Sequence, residues 1–353
     1  MPQQLHYELL VQAPLLLTNL REAQHCLCSP AQPRGLHHWF SRTGPPFASV
    51  PGAASFAWAH VCLVEPELLL STRSAVQGTT VAVLVAPAPP RSPLGLIRRL
   101  LAERKGDLVE VRGLLGMPVP VFRLDSCVWR AYVPVTPLQD PGQYNVQVRV
   151  RDGLHKAVDV PVEVVAGDFP VEQLWFRRSK AALVPSERET AQVLQACRSC
   201  SPAQLWRGAF MAPCPGRVTT PYGVRRFYNG VWRPDYFHRG LDYAGDAGQA
   251  VQAPAAGRVV LVGREQDGFA VHGNCLGLDH GAGLTSLFLH LQDLAVREGD
   301  VVKQGEDIGT IGVTGMATGP HLHWGMFASG EAVDPSAWLD TPDSRAKAAI
   351  WKF

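Results

Sequence analysis

Residues 296–315 read VREGDVVKQGEDIGTIGVTG, and this stretch decides how the rest of the chain is read. Glycines fall at 299, 305, 309, 312 and 315, with Val and Ile between them. Glycine supplies the positive φ that tight turns demand. The spacing therefore predicts very short strands joined by tight turns, not a helix. Directly behind it, ATGPHLHWG (317–325) sets His321 and His323 two apart after a Gly-Pro turn. On a strand, residues i and i+2 point to one face. The two imidazoles either enter one pocket together or stand together on a solvent-facing strand. The pair alone does not choose between these.

Moving outward, the same texture continues. AFMAPCPGRVTTPYG (209–223) is a turn-rich entry, AVQAPAAGRVVLVG (250–263) is strand–turn–strand, and CLGLDHGAGLTSLFLHL (275–291) is a second such unit. No repeat of solenoid length appears. Upstream, PSERETAQVLQAC (185–197) opens on Ser186 with Glu189 three residues later, a capping-box signature for one short helix. It reads as a packing or spacer element. Earlier still, VQGTTVAVLVAPAP (76–89), VWRAYVPV (128–135), and YNVQVRV (144–150) with AVDVPVEVV (157–165) flanking Asp152-Gly153 predict an antiparallel sandwich with a hairpin. SPLGLIRRLLAERKG (92–106) has helical spacing and reads as an inserted helix or long loop. Asp125 and Cys127 stand isolated there, without a catalytic cluster.

The expected fold is all-β. A leader or poorly ordered segment spans 1–65, a sandwich-like domain 66–168, a connector with one helix 169–210, a second antiparallel β-domain 211–340, and a tail 341–353. With 353 residues, of which 46% are hydrophobic, the chain is long enough for two packed cores. A net charge of +2, without a dense Lys/Arg run, gives no argument for nucleic acid. No stretch reads as a convincing membrane span; FASVPGAASFAWAHVCLV (47–64) is uncharged but only weakly apolar. Residues 1–46 hold only Glu8 and Glu22 as acids, and resemble an organelle transit segment or a mis-assigned start as much as structure. Of eight cysteines, only Cys197 and Cys200 form a CxxC, so a zinc ribbon is not expected and the thiols read as incidental or structural.

Two further pieces of the C-terminal half carry metal-ligand chemistry. FHRGLDYAG (237–245) places His238 and Asp242 four apart, with Gly240 between them favouring a turn that enters a strand. SLFLHLQDL (286–294) places His290 as the polar residue of an apolar strand, where a lone histidine is ordinarily a satisfied core residue. His238, Asp242 and His323 together would make a two-His, one-carboxylate zinc site with room for water. HExxH is absent, so a helix-borne glutamate base is not available. His272 and His280 read as turn residues, and His155 as exposed.

The set HRGLD, FLHL and GPHLHW, in that order, resembles the lysostaphin/LytM-type zinc endopeptidases of bacterial cell walls. The resemblance covers roughly residues 211–340 and extends through APAAGRVVLVG, LDHG and VKQGEDIGTIGVTGMATGPHLHWG. It implies a compact antiparallel β-domain with Zn2+ held by His238, Asp242 and His323, and with His290 and His321 as the catalytic pair. The implied substrates are peptide cross-bridges or stems of peptidoglycan, and the implied location is the periplasm or cell envelope, with an organelle as the alternative. More weakly, the preceding β-domain resembles the all-β N-terminal module of some family members. Trp324-Gly325 stands where many members carry Phe-Glu, which implies altered packing or substrate contacts. Two other readings compete. Some relatives have lost ligands and activate other wall hydrolases, whereas here all five positions are filled. The glycine rhythm of 296–312 also echoes lipoyl and biotinyl carriers, but no Lys occupies a suitable hairpin tip.

Overall fold

The computed structural model describes residues 59–61, 67–86, 108–124, 128–151, 157–175 and 183–339. The expectations for most of the leader, for 92–106, Asp125, Cys127, His155 and the tail lie outside the described residues.

The first module is two facing five-stranded sheets. One runs in the order Ala59–Val61, Glu67–Leu70, Thr80–Ala86, Trp129–Pro134, Val121–Arg123. The other runs Ser74–Val76, Val158–Val165, Gly142–Val150, Val109–Arg112, Pro118–Val119. Period-two patterning makes the second sheet one-sided: Val160, Val162 and Val164 are buried while their neighbours are exposed. They pair antiparallel with Val146, Tyr144 and Gly142. Thr80–Ala86 and Trp129–Pro134 are instead buried almost throughout. The reason is that both faces of their sheet are covered. One face meets the sandwich core, and the other presents Ala82, Phe122 and Tyr132 to the core of the C-terminal module. Tyr132 meets the edge of Trp338 at 5.4 Å between ring centroids. Arg130, also buried, is bonded to Gln204 Oε1 at 2.6 Å and lies over the rings of Tyr132 and Trp206.

The C-terminal module is a ten-stranded sheet whose path is Val218–Thr220, Leu241–Ala244, His321–Ala328, Leu284–Leu294, Asn274–Gly281, Gly257–Gly263, Val301–Val302. Asp307–Ile311 pairs with Ala250–Gln252 and with Leu284–Leu294, and Glu331–Val333 pairs with His321–Ala328. The glycine-rich segment accordingly forms short strands and turns, with positive φ at Gly299, Gly305 and Gly315. A separate three-stranded sheet joins connector strand Val171–Leu174 in parallel to Arg225–Tyr228, which pairs with Val231–Trp232.

The connector helix, Glu187–Cys197, starts where the capping signature places it, with Ser186 Oγ accepting from Glu189 N at 3.0 Å. Its Val193, Ala196 and Cys197 join the C-terminal core. The side chain of Glu189 departs from the capping-box expectation: it reaches another loop. His280 also departs from expectation. It ends no turn but lies within strand Asn274–Gly281, fully buried, bonded to Ala256 O at 2.9 Å and Ser286 Oγ at 2.8 Å. Trp324, fully buried, donates Nε1–H to the same Ser286 Oγ at 3.0 Å, so this departure from Phe serves packing. Among the described residues no helix is long and apolar enough to cross a membrane, and Cys197, Cys200, Cys214 and Cys275 are free.

Candidate metal centre and histidine pair

Asp242 and His323 are directly opposed in the antiparallel ladder between Leu241–Ala244 and His321–Ala328. Opposed residues share a face, so a register of sequence-distant strands brings the carboxylate to the imidazole. His238 arrives from the preceding turn. Gly240 allows that turn to close, because a Cβ there would overlap the Trp324 carbonyl. The result is a nearly equilateral triangle. His238 Nε2 and His323 Nδ1 each lie 2.9 Å from Asp242 Oδ1, and 3.0 Å from each other.

The Pro221 carbonyl can only accept, so the 2.8 Å contact fixes His238 Nδ1 as a donor and leaves Nε2 a lone pair in the neutral ring. Three basic atoms therefore converge on one point that at least one proton or a cation must occupy. Zinc bonds of 2.0–2.2 Å in tetrahedral geometry separate neighbouring ligand atoms by about 3.4 Å. The triangle is within about half an ångström of such a face, and the donor set of two imidazoles and one carboxylate suits zinc. Among the described residues, this is the group of His, Cys, Asp and Glu side chains placed to hold a metal ion.

Electrostatics keep His323 and Asp242 in ligating forms. Burial, against the opposing hydrogen bond to Asp242, pushes His323 down to about 4, so its ring is neutral at pH 7. Burial opposes ionisation of Asp242, but the two flanking imidazoles outweigh it and hold its carboxyl far below the usual range. Its second oxygen, Oδ2, lies 3.7 Å from the buried Arg226 guanidinium, which also pairs with Glu172 of the connector strand at 3.0 Å.

His290 and His321 face the triangle. Their ring centroids are 5.0 Å apart, and His290 is 6.5 Å from the His323 ring. Strict alternation would turn His290 away, because Leu289 is the residue that pairs with His323. At His290 φ is 64°, a left-handed kink at which the ladder with Asn274–Gly281 slips, between the pairs Leu276–Phe288 and Asn274–Leu291. The kink re-aims the ring. Thr314 O accepts His290 Nδ1–H at 2.9 Å, and Gly319 O accepts His321 Nδ1–H at 2.8 Å. Both rings thus present Nε2 inward; that of His321 is 3.9 Å from Asp242 Oδ1. Burial, then the rings of His321 and His323, pushes His290 down to about 3, leaving it a neutral acceptor.

Sequence reading gave Glu189 only a helix-capping role and passed over Arg226. The only sequence signal for Glu189 is the half-met capping box, and a charged residue on an apolar helix face could have flagged it.

Residues 236–335 match the model of Peptidase family M23. A DD-carboxypeptidase/endopeptidase named Mpg from Neisseria meningitidis serogroup B is 37% identical over 129 residues, covering 36% of this chain and 28% of that protein. The Murein hydrolase activator NlpD from Salmonella dublin is 30% identical over 155 residues, covering 44% and 37%. The chain therefore spans well under half the length of these relatives. A solved putative peptidase M23 from Pseudomonas aeruginosa aligns with a TM-score of 0.50 and 29% identity, over 65% of this chain and 87% of that one.

Proposed function

Since the C-terminal module of this chain is a peptidase family M23 domain, we propose that it is a zinc-dependent endopeptidase acting on the peptide stems or cross-links of peptidoglycan. The observation that carries the reading is the convergence of His238, Asp242 and His323 beside two further histidines with inward Nε2 atoms. Three protein ligands are the count of a catalytic zinc site, whereas structural sites close with four. Zinc, when bound, supplies Lewis acidity, polarising a carbonyl and acidifying water.

The chain's own residues do the rest. Pro221 O, Thr314 O and Gly319 O fix the tautomers of His238, His290 and His321. His290 and His321 form the acid–base pair. One Nε2 takes the proton of the attacking water; the other ring, whose Nδ1–H is already committed to a carbonyl, acts in its imidazolium form and donates Nε2–H to the carbonyl oxygen as negative charge builds there. The proton taken from water then goes to the leaving amine, so water adds across one amide bond to give a carboxylic acid and an amine.

Peptidoglycan as substrate is supported by the bacterial relative named a murein hydrolase activator, and the periplasm or cell envelope as location follows from that substrate; no relative's name supports an organelle. A hydrolase-activating role without catalysis is the second reading, favoured by the likeness to NlpD, while the filled ligand and histidine positions favour catalysis. The discriminating experiment is digestion of purified peptidoglycan by the full chain, following new amino groups with zinc, after chelation, and after zinc add-back. Zinc-restored release is expected. Bound zinc without release from several wall chemistries would favour the activator.

A further inference from the structure

The connector helix Glu187–Cys197 lies outside the family match, yet it packs on strands Gly257–Gly263, Asn274–Gly281 and Leu284–Leu294. Its Glu189 is a buried acid with a relative exposure of 1%. A buried carboxylate is costly unless its hydrogen bonds compensate. Here one oxygen, Oε1, accepts from Val271 N at 3.0 Å, His272 N at 2.8 Å and His272 Nδ1 at 2.7 Å. The other, Oε2, has no partner. Helix capping does not require this arrangement, because Ser186 performs it alone.

What the clamp holds is the turn ending at His272. The His272 carbonyl accepts the backbone N–H of His290 at 3.1 Å, and the Val271 carbonyl accepts Met316 N at 2.8 Å. The Thr314 carbonyl that orients the His290 ring belongs to this second loop, and Thr314 Oγ1 accepts Asn274 N at 2.9 Å. Both grips on His290, one on its backbone and one on its ring, therefore trace to the turn that Glu189 fastens. His290 needs such support, since its left-handed φ of 64° is unfavourable for a non-glycine residue.

We propose that the connector helix completes the catalytic site, with Glu189 acting as a positioning residue for His290 through the 271–272 turn. The proposal rests on the zinc-peptidase reading for its kinetic consequence, though not for its structural one. The test uses the full chain carrying Glu189→Ala, and Glu189→Gln, which keeps an acceptor without the charge. Backbone amide exchange, zinc affinity and peptidoglycan cleavage per bound zinc are measured well below the melting temperature.

In Glu189→Ala, exchange at the His290 amide should rise at least about tenfold while strand His321–Ala328 stays protected. Cleavage should fall roughly tenfold or more in kcat, with KM and zinc affinity unchanged, because only the position of one histidine is lost. Glu189→Gln should fall between Ala and the wild type, and it carries the test if the Ala variant does not fold. Unchanged protection of the His290 amide overturns the proposal whatever the activity. A wild type that binds zinc without cleaving counts against the peptidase reading alone, since amide exchange still reports the clamp.

Discussion

Replacing His290 by Ala and by Gly separates its chemistry from its backbone strain. Both substitutions remove the ring, its hydrogen bond to Thr314 O and its Nε2. Neither touches the His238–Asp242–His323 triangle, so both variants should retain zinc. They differ in how they meet φ 64°. An L-residue pays roughly 1–2 kcal/mol there and glycine does not. Glycine returns about 0.5–1 kcal/mol through the greater freedom of its unfolded chain. The net expectation is that His290→Gly is more stable than His290→Ala by about 0.5–1 kcal/mol, the reverse of the usual order. For a domain of this size that is roughly 1–4 °C in melting temperature. Thermal melts in chelator and in zinc, with zinc content measured separately, provide the assay. An Ala variant as stable as the Gly variant would refute the claim that the kink is strained and held by its surroundings. Amino-group release should fall about 100-fold or more in both; full turnover by His290→Ala would sink the role assigned to that residue.

Other expectations follow from the same geometry. His323→Ala should lose both zinc and cleavage, in contrast to His290→Ala, and retention of stoichiometric zinc by dialysed His323→Ala would contradict the ligand assignment. Gly240→Ala should cost at least about 2 kcal/mol and lower zinc affinity, since the new Cβ meets the Trp324 carbonyl; calorimetry with a zinc titration reads both. Burial pushes His280 down to about 4, against an ordinary value of about 6.5. The unfolded chain therefore gains a proton before the folded one does. The His280 contribution to stability is intact above about pH 6.5 and is lost as pH falls toward 4, by about 3 kcal/mol for this one group. Melts of metal-free wild type should show this fall and His280→Gln a shallower one; parallel pH profiles would assign the acid sensitivity elsewhere.

Much of this protein is written locally. Alternation in 144–150 and 157–165 specifies a one-sided sheet, and the glycines of 296–315 specify short strands and turns, because both follow from the covalent geometry of a few neighbouring residues. The spacing of His321 and His323, and the Gly240 turn before Asp242, likewise limit what those side chains can do. Other features needed partners distant in sequence. The ladder that opposes Asp242 to His323 spans 81 residues. The uniformly apolar run at 81–86 is explained only by a second module covering the outer face of its sheet. His290 taken alone reads as a core histidine, and only the family resemblance places it in the site; it gets there because a kink overrides the strand's alternation. Glu189 reads as half of a helix cap, and it fastens a turn more than 80 residues away. Periodicity places a side chain on a face of its own strand or helix. Which face meets which, and where a strained residue is held, depends on contacts whose energy exists only once the chain has closed on itself.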